Sequence, residues 1–243
     1  MTSTLIVHSG ASLVSRQELR GIATPPSTPT HAPVAHADLV KLIERGLTDA
    51  NYTIVREQYA VMSRGLTLFG LLDLQNGKAP REGAGYAVGF RHANNKHMAL
   101  TMVGGYRIFI CDNMALSGDR KVFSHPHRPG VINRLAESLH RFFSESLAEQ
   151  FDVIEARFRK WEREELFDDD ARVLIYRALE TGVIPGRLRA DVHTAYFDAD
   201  ALHYADCAPR TKLGLHNAFT RSLKALNPAP AYESQISLTR LFG

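Results

Sequence analysis

The order of apolar and polar positions divides the chain into a strand-patterned first half and a helix-patterned second half. Residues 52–61 and 66–74 are apolar runs of strand length, and Tyr86, Val88 and Phe90 alternate onto one face of a third. Residues 97–103 and 106–111 complete a set of five. Asn76-Gly77, Asn94-Asn95 and Gly104-Gly105 read as the turns between them. Connections this short predict an antiparallel sheet over about 52–111, because parallel pairing needs crossovers of a dozen or more residues. After Pro129-Gly130 the period becomes helical. Val131, Leu135, Leu139, Phe142, Phe143, Leu147, Phe151, Ile154, Phe158 and Trp161 form one apolar face along roughly 50 Å of helix. The spacing from Phe143 on is heptad-like, with an extra step of four from Phe143 to Leu147 that acts as a stutter. The pattern fits one long helix or two helices that part near 144–146. Further helices are predicted over 169–181, 188–196 and 211–226. The fold class is therefore α+β, with the sheet first and the helices after it.

Residues 1–37 read as an arm, since TPPSTPTHAP at 24–33 holds four prolines in ten positions and favours extended backbone. Such an arm lies on its own domain or docks on a neighbouring subunit. Asp38 stands where an N-cap belongs, ahead of Leu39, Leu42, Ile43 and Leu47 on a short helix ending near 49–51. The expected organisation is an arm (1–37), one α+β domain (38–226) and a C-terminal tail (227–243).

Composition narrows the class. The 243 residues are 44% hydrophobic and 23% charged, which excludes a disordered or collagen-like chain. Two cysteines exclude a disulfide scaffold and fit a reducing compartment. No 18-residue apolar run is present, and the first residues lack the basic flank and apolar length of a secretory signal. A cytoplasmic protein without a membrane span is expected. The net charge of +3 is unevenly spread. Residues 1–130 hold 14 basic and 9 acidic side chains, whereas residues 131–170 hold 6 and 11. The front half suits a polyanion, and the acidic segment faces away from it.

The usual catalytic signatures are absent from the sequence: no phosphate-cradling GxxxxGK[ST], no GxSxG, no HExxH and no CxxC. His125-Pro126-His127 is too short and rigid a spacing for both rings to face one ion. His203 and Cys207, at i and i+4 with Asp206 between, have no second ligand pair, so burial is the expectation for Cys207. No metal and no cofactor are expected. Cys111 closes a predicted strand as a small buried hydrophobe, and Asp112-Asn113 suit the turn after it. The densest polar cluster is Arg91, His92, Asn94, Asn95, Lys96 and His97 at a hairpin tip. Arg107, Lys121, His125 and Arg128 add donors and positive charge. These side chains bond phosphate oxygens, and asparagine also reads base edges.

The run GFRHANNKHMALTMVGGYRIFICDNMALSG resembles the signature of domain-of-unknown-function family 932, the phage/plasmid-like proteins. Arg91, Asn94, Lys96, Gly105, Cys111, Asp112, Asn113, Ser117 and Gly118 match by position, with Ala93-Asn94-Asn95-Lys96 where the family carries Ser-x-Asp-Lys. The proline arm and LHNAFT at 215–220, which includes Asn217, are also similar, so the likeness spans roughly residues 24–226. The resemblance implies a mobile-element setting and supplies no mechanism. The resulting expectation is a non-catalytic, nucleic-acid-associated protein of phage or plasmid type, binding or annealing single-stranded DNA. It would use Arg91, His92, Asn94, Asn95, Lys96, Arg107, Lys121, His125 and Arg128. One alternative is an enzyme with a polar pocket around Arg91, Asn94, Lys96, Asp112 and Asn113. Another is a host-interaction protein acting through the acidic 131–170 helix. A homo-oligomer is expected, because the 147–161 stripe offers more apolar face than a small sheet needs.

Overall fold

The computed structural model describes residues 11–75, 84–95, 100–108, 113–116, 121–123, 128–226 and 228–243. The chain is α+β: an antiparallel sheet in the N-terminal half, then helices. The meander runs β2 (Thr53–Met62), β3 (Thr67–Gln75), β4 (Ala84–Ala93), β5 (Leu100–Ile108) and β6 (Asn113–Leu116), each paired with the next. Short β1 (Ser12–Val14) extends the β2 edge, and β7 (Lys121–Phe123) pairs with β5. β3 is apolar on both faces and buried from Thr67 to Leu74, as a strand covered on two sides must be.

Gly104 and Gly105 make no turn. They lie inside β5, opposite Val88 and Ala87. The reason is contact with the helix above: a Cβ on Gly104 would stand 2.9 Å from Gln150 Oε1 and 3.2 Å from Leu147. Gly104 N–H instead donates to that same Oε1 at 3.0 Å. The glycine pair that reads locally as a turn thus serves close approach. Asn76-Gly77 lies outside the described residues.

Ahead of the main strands come α1 (Arg16–Gly21) and α2 (His36–Asp49), which belong to the arm and its junction with the sheet. α2 starts at His36 with Ala35 as its cap, so Asp38 sits in the first turn and bridges Lys41 at 3.2 Å. α3 (Val131–Arg141) and α4 (Leu147–Arg163) are one continuous helix of 33 residues joined by a π-turn at Phe142–Ser146. The stutter marks that turn. On a regular wheel of about 100° per residue, Val131–Phe142 and Leu147–Trp161 point roughly 100° apart. The π-turn holds one residue more than a regular helix needs, which brings both stripes onto one face. Every residue of the ten-member stripe is buried.

That face covers Tyr86, Val88, Phe90 and Met102 of the sheet, with Tyr86 stacked on Phe151 at 4.4 Å. Its far end meets α7 (Lys212–Leu223) and α8 (Pro228–Phe242), where Trp161, His216 and Phe242 pack together. The stripe is therefore buried within the one chain, and none of its ten residues is left exposed to join subunits. α5 (Asp168–Glu180) and α6 (Arg189–Phe197) complete the helical layer. Residues 228–242, expected as a tail, are helical. Pro228 and Pro230 fall in the first turn of α8, where a missing N–H costs nothing. Ile236 of α8 covers the opposite sheet face against Ala60, Leu71, Ala87 and Val103. Among the described residues no helix is long and apolar enough to cross a membrane.

The tightest joint in the sheet pairs Gly70 with Phe90, whose ring occupies the space a Gly70 side chain would need. Gly70→Ala is expected to lower stability by about 1–3 kcal/mol through overpacking. Gly21→Ala, with nothing within 4 Å of the added methyl, is expected to leave stability nearly unchanged. Urea midpoints of the two variants check the contrast.

Candidate nucleic-acid interface at the end of the sheet

The described parts of two of the basic runs, Asn94-Asn95 and Lys121–Phe123, reach one end of the sheet. β7 lays Phe123 opposite Leu100 and Lys121 opposite Met102, so the chain leaves β7 at the end of the sheet where β4 turns into β5. That register brings Phe123 to the end of the sheet that β4 leaves through Ala93, Asn94 and Asn95. Thr67 pairs with Ala93, which places the β2–β3 turn, with exposed Arg64, at the same end. Asn94 N–H donates to Leu66 O at 2.8 Å and ties the two turns. Arg128 is exposed just before α3, and Arg134 folds back to donate to the carbonyls of Pro129 (3.3 Å) and Arg128 (3.4 Å).

Arg64 and Arg134 escape a sequence reading. One is a lone arginine in a turn, which the strand register places at this end, and the other a lone arginine on a helix, which bonds the backbone of Arg128 and Pro129. Arg107 does not join them. It pairs with Gly85 and Met114 near the other end of β5, roughly 23 Å away at about 3.3 Å per residue.

Within the expected hairpin-tip cluster, the structure separates solvent-facing from internal groups. Arg91 points to the α8 side of the sheet, where it bridges Glu233 at 2.6 Å and donates to Thr101 Oγ1 at 3.0 Å. His92 is fully buried on the other side, with its Nδ1 at 3.3 Å from Nδ1 of His36. Asn94 is buried and works on the arm. Its Oδ1 accepts from Val34 N–H at 3.0 Å, and its Nδ2 donates to Val34 O at 2.9 Å. Asn95 is half-buried in the turn. Lys96, His97, Cys111, Asp112 and His125 lie outside the described residues, as do the side chains of Arg107, Lys121 and Asn113. Asn113 opens β6 opposite Ile108. Asn217 is far from this corner, buried on α7 and donating to Asp206 O at 2.8 Å.

The described part of the proline arm lies on its own domain. Thr28 and His31 close a tight turn, His31 Nε2 contacts Asn94 O at 3.2 Å, and Val34 is fully buried. Arg16 on α1 anchors the segment before it, bridging Glu44 at 2.9 Å and Glu57 at 2.7 Å.

Two other titratable groups are internal. His203 and Cys207 share no helix: His203 is exposed with φ +55°, and Cys207 is buried. Burial first, then the Asp206 carboxylate, pushes the Cys207 thiol up to about 12. That keeps it a thiol rather than a nucleophilic thiolate. His216 is enclosed by Phe158, Trp161 and Phe242, and neither ring nitrogen has a hydrogen-bond partner. Burial holds its pKa down to about 3.

No family model, curated protein or solved structure matches the chain.

The unfolded chain binds a proton at residue 216 below about pH 6.5, and the folded chain does so only near pH 3. The folding equilibrium therefore weakens by up to about tenfold for each pH unit lost between those values. His216→Leu removes this linkage and two unpaired buried nitrogens. Acid unfolding, followed by circular dichroism, is expected to shift to lower pH in that variant.

Proposed function

We propose that the chain is a non-catalytic, nucleic-acid-associated protein of phage or plasmid type that holds single-stranded DNA at the β4–β5 corner. The observation that carries this reading is the convergence there of the Arg64 turn, Asn94-Asn95 at the end of β4 and Phe123 at the end of β7, three separate stretches of sequence that lead into the basic runs. Clustered cations from several elements suit a flexible phosphate backbone, which single side chains on one helix would not track. The excess of basic over acidic groups in residues 1–130 adds to the attraction. In this reading His92 and Asn94 support the corner from inside and Arg91 braces the sheet, while Lys96, Lys121, His125 and Arg128 meet phosphate.

A small-molecule pocket built from Arg91 and Asn94 is less well supported. Arg91 is engaged with Glu233 and Thr101 on one face, and Asn94 with Val34 on the arm, so the two do not line a common cavity. Among the described residues no group of three or more His, Cys, Asp or Glu side chains is placed to hold a metal ion.

Binding of a fluorescent single-stranded oligonucleotide is expected to weaken steeply as salt rises from 50 mM. Lys96→Ala with Lys121→Ala and Arg128→Ala should flatten the plot of log K against log salt, by about 0.7 for each phosphate that is no longer neutralised. Arg107→Ala, at the far end of β5, should leave the slope unchanged. No binding at 50 mM salt would refute the proposal.

A further inference from the structure

The arm crosses the root of this corner, and titratable groups hold it there. His36 Nε2 donates to Gly65 O at 2.7 Å, since a carbonyl only accepts. When His36 is neutral, its Nδ1 is therefore the acceptor, and the 3.3 Å contact to His92 Nδ1 is made by a proton on His92. The two Nδ1 atoms share one proton. A first added proton has one place that leaves this contact intact, His92 Nε2. A second would place two N–H groups head to head in a site where both rings are buried.

We propose that residues 24–36 form a strap over the root of the β4–β5 turn, closed while the His36–His92 pair carries at most one extra proton and opened when both rings are protonated. Burial already lowers the affinity of His36 for a proton. The charged groups on the surrounding elements do not offset a second one. Asp38 on α2 is engaged with Lys41 at 3.2 Å, Arg64 stands on the β2–β3 turn beside Gly65, and Arg91 is turned to the other face against Glu233. His31 lies on the arm itself, and Leu68, opposite His92 in the register, is uncharged. The sign follows. The closed strap binds at least one proton fewer than the open one, whose hydrated rings charge below about pH 6.5, so acid favours opening. Opening removes Val34 and His31 from Asn94 and bares Asn94 and Asn95 at the end of β4.

That the bared turn serves nucleic acid rests on the function proposed above, whereas the latch does not. Hydrogen–deuterium exchange of peptides spanning 28–36, corrected for intrinsic pH dependence, reads the latch directly. Protection is expected to fall with acid from pH 6.5 to 5, approaching about tenfold per pH unit at the lower end, while peptides within β3 and β4 remain protected. Asn94→Ala, which removes two bonds and no titrating ring, should lower protection by a similar factor at every pH and keep the slope. His36→Leu with His92→Leu should abolish the slope. Protection in the parent protein that does not change with pH, or that falls in step with β3 and β4, overturns the latch. The same samples titrated with a fluorescent single-stranded oligonucleotide separate the two claims. Opening without binding at either pH refutes the nucleic-acid reading alone, and binding at pH 7.5 with a strap that never opens refutes the latch alone.

Discussion

One straight helical face must cover both a sheet and a helical layer, and the register of that face governs the rest of the molecule. The helix from Val131 to Arg163 runs roughly 50 Å. Its first half packs beside α2, its middle lies on β5, and its end meets α7 and α8. A regular helix with this sequence would turn Leu147–Trp161 about a quarter-turn away from the direction of Val131–Phe142. The extra residue in the π-turn removes that rotation, and it allows Phe142 and Phe143 to be buried side by side, with ring centroids 5.3 Å apart. The sheet answers with glycines where helix and aromatic rings come close, Gly104 under Gln150 and Gly70 under Phe90.

With the core fixed in this way, the end of the sheet is left for polar chemistry. The β2–β3 turn and the ends of β4 and β7 meet there because the meander and the β7 register bring them there. The groups inside the corner are neutral and bonded to backbone, as Asn94 is to Val34 and His36 to Gly65. Among the described cations, Arg64 and Arg128 stay outside. This division is what burial demands: an unpaired charge inside would cost several kcal/mol, while charges in solvent remain available to a polyanion.

The long-range apolar patterns were legible in the sequence, and the chemistry of individual polar residues was not. The switch of period at Pro129-Gly130 located the boundary between sheet and helices, and the stutter at Phe143–Leu147 marked the π-turn, because both reflect burial repeated over many residues. Gly104-Gly105 misled because a glycine pair has the same local signature whether it bends the chain or clears space for a neighbour. Residues 228–242 read as a tail because prolines at a helix start resemble prolines in a loop. His92 and Asn94 lay in a polar run that suggested an exposed tip. Their burial depends on the arm, some 60 positions earlier in the chain, and no local pattern reports it.

The register of the long helix has a direct test. Ser144 lies on the exposed side of the π-turn, with its hydroxyl donating to His140 O at 2.8 Å, so deleting it removes no core atom. If the π-turn holds one surplus residue, the deletion restores a regular helix and leaves both stripes on the same face. Thermal unfolding of the Ser144 deletion, followed by circular dichroism, should then show one cooperative transition within several degrees of the parent's. A deletion in the middle of the central helix that instead abolishes cooperative unfolding would contradict the account.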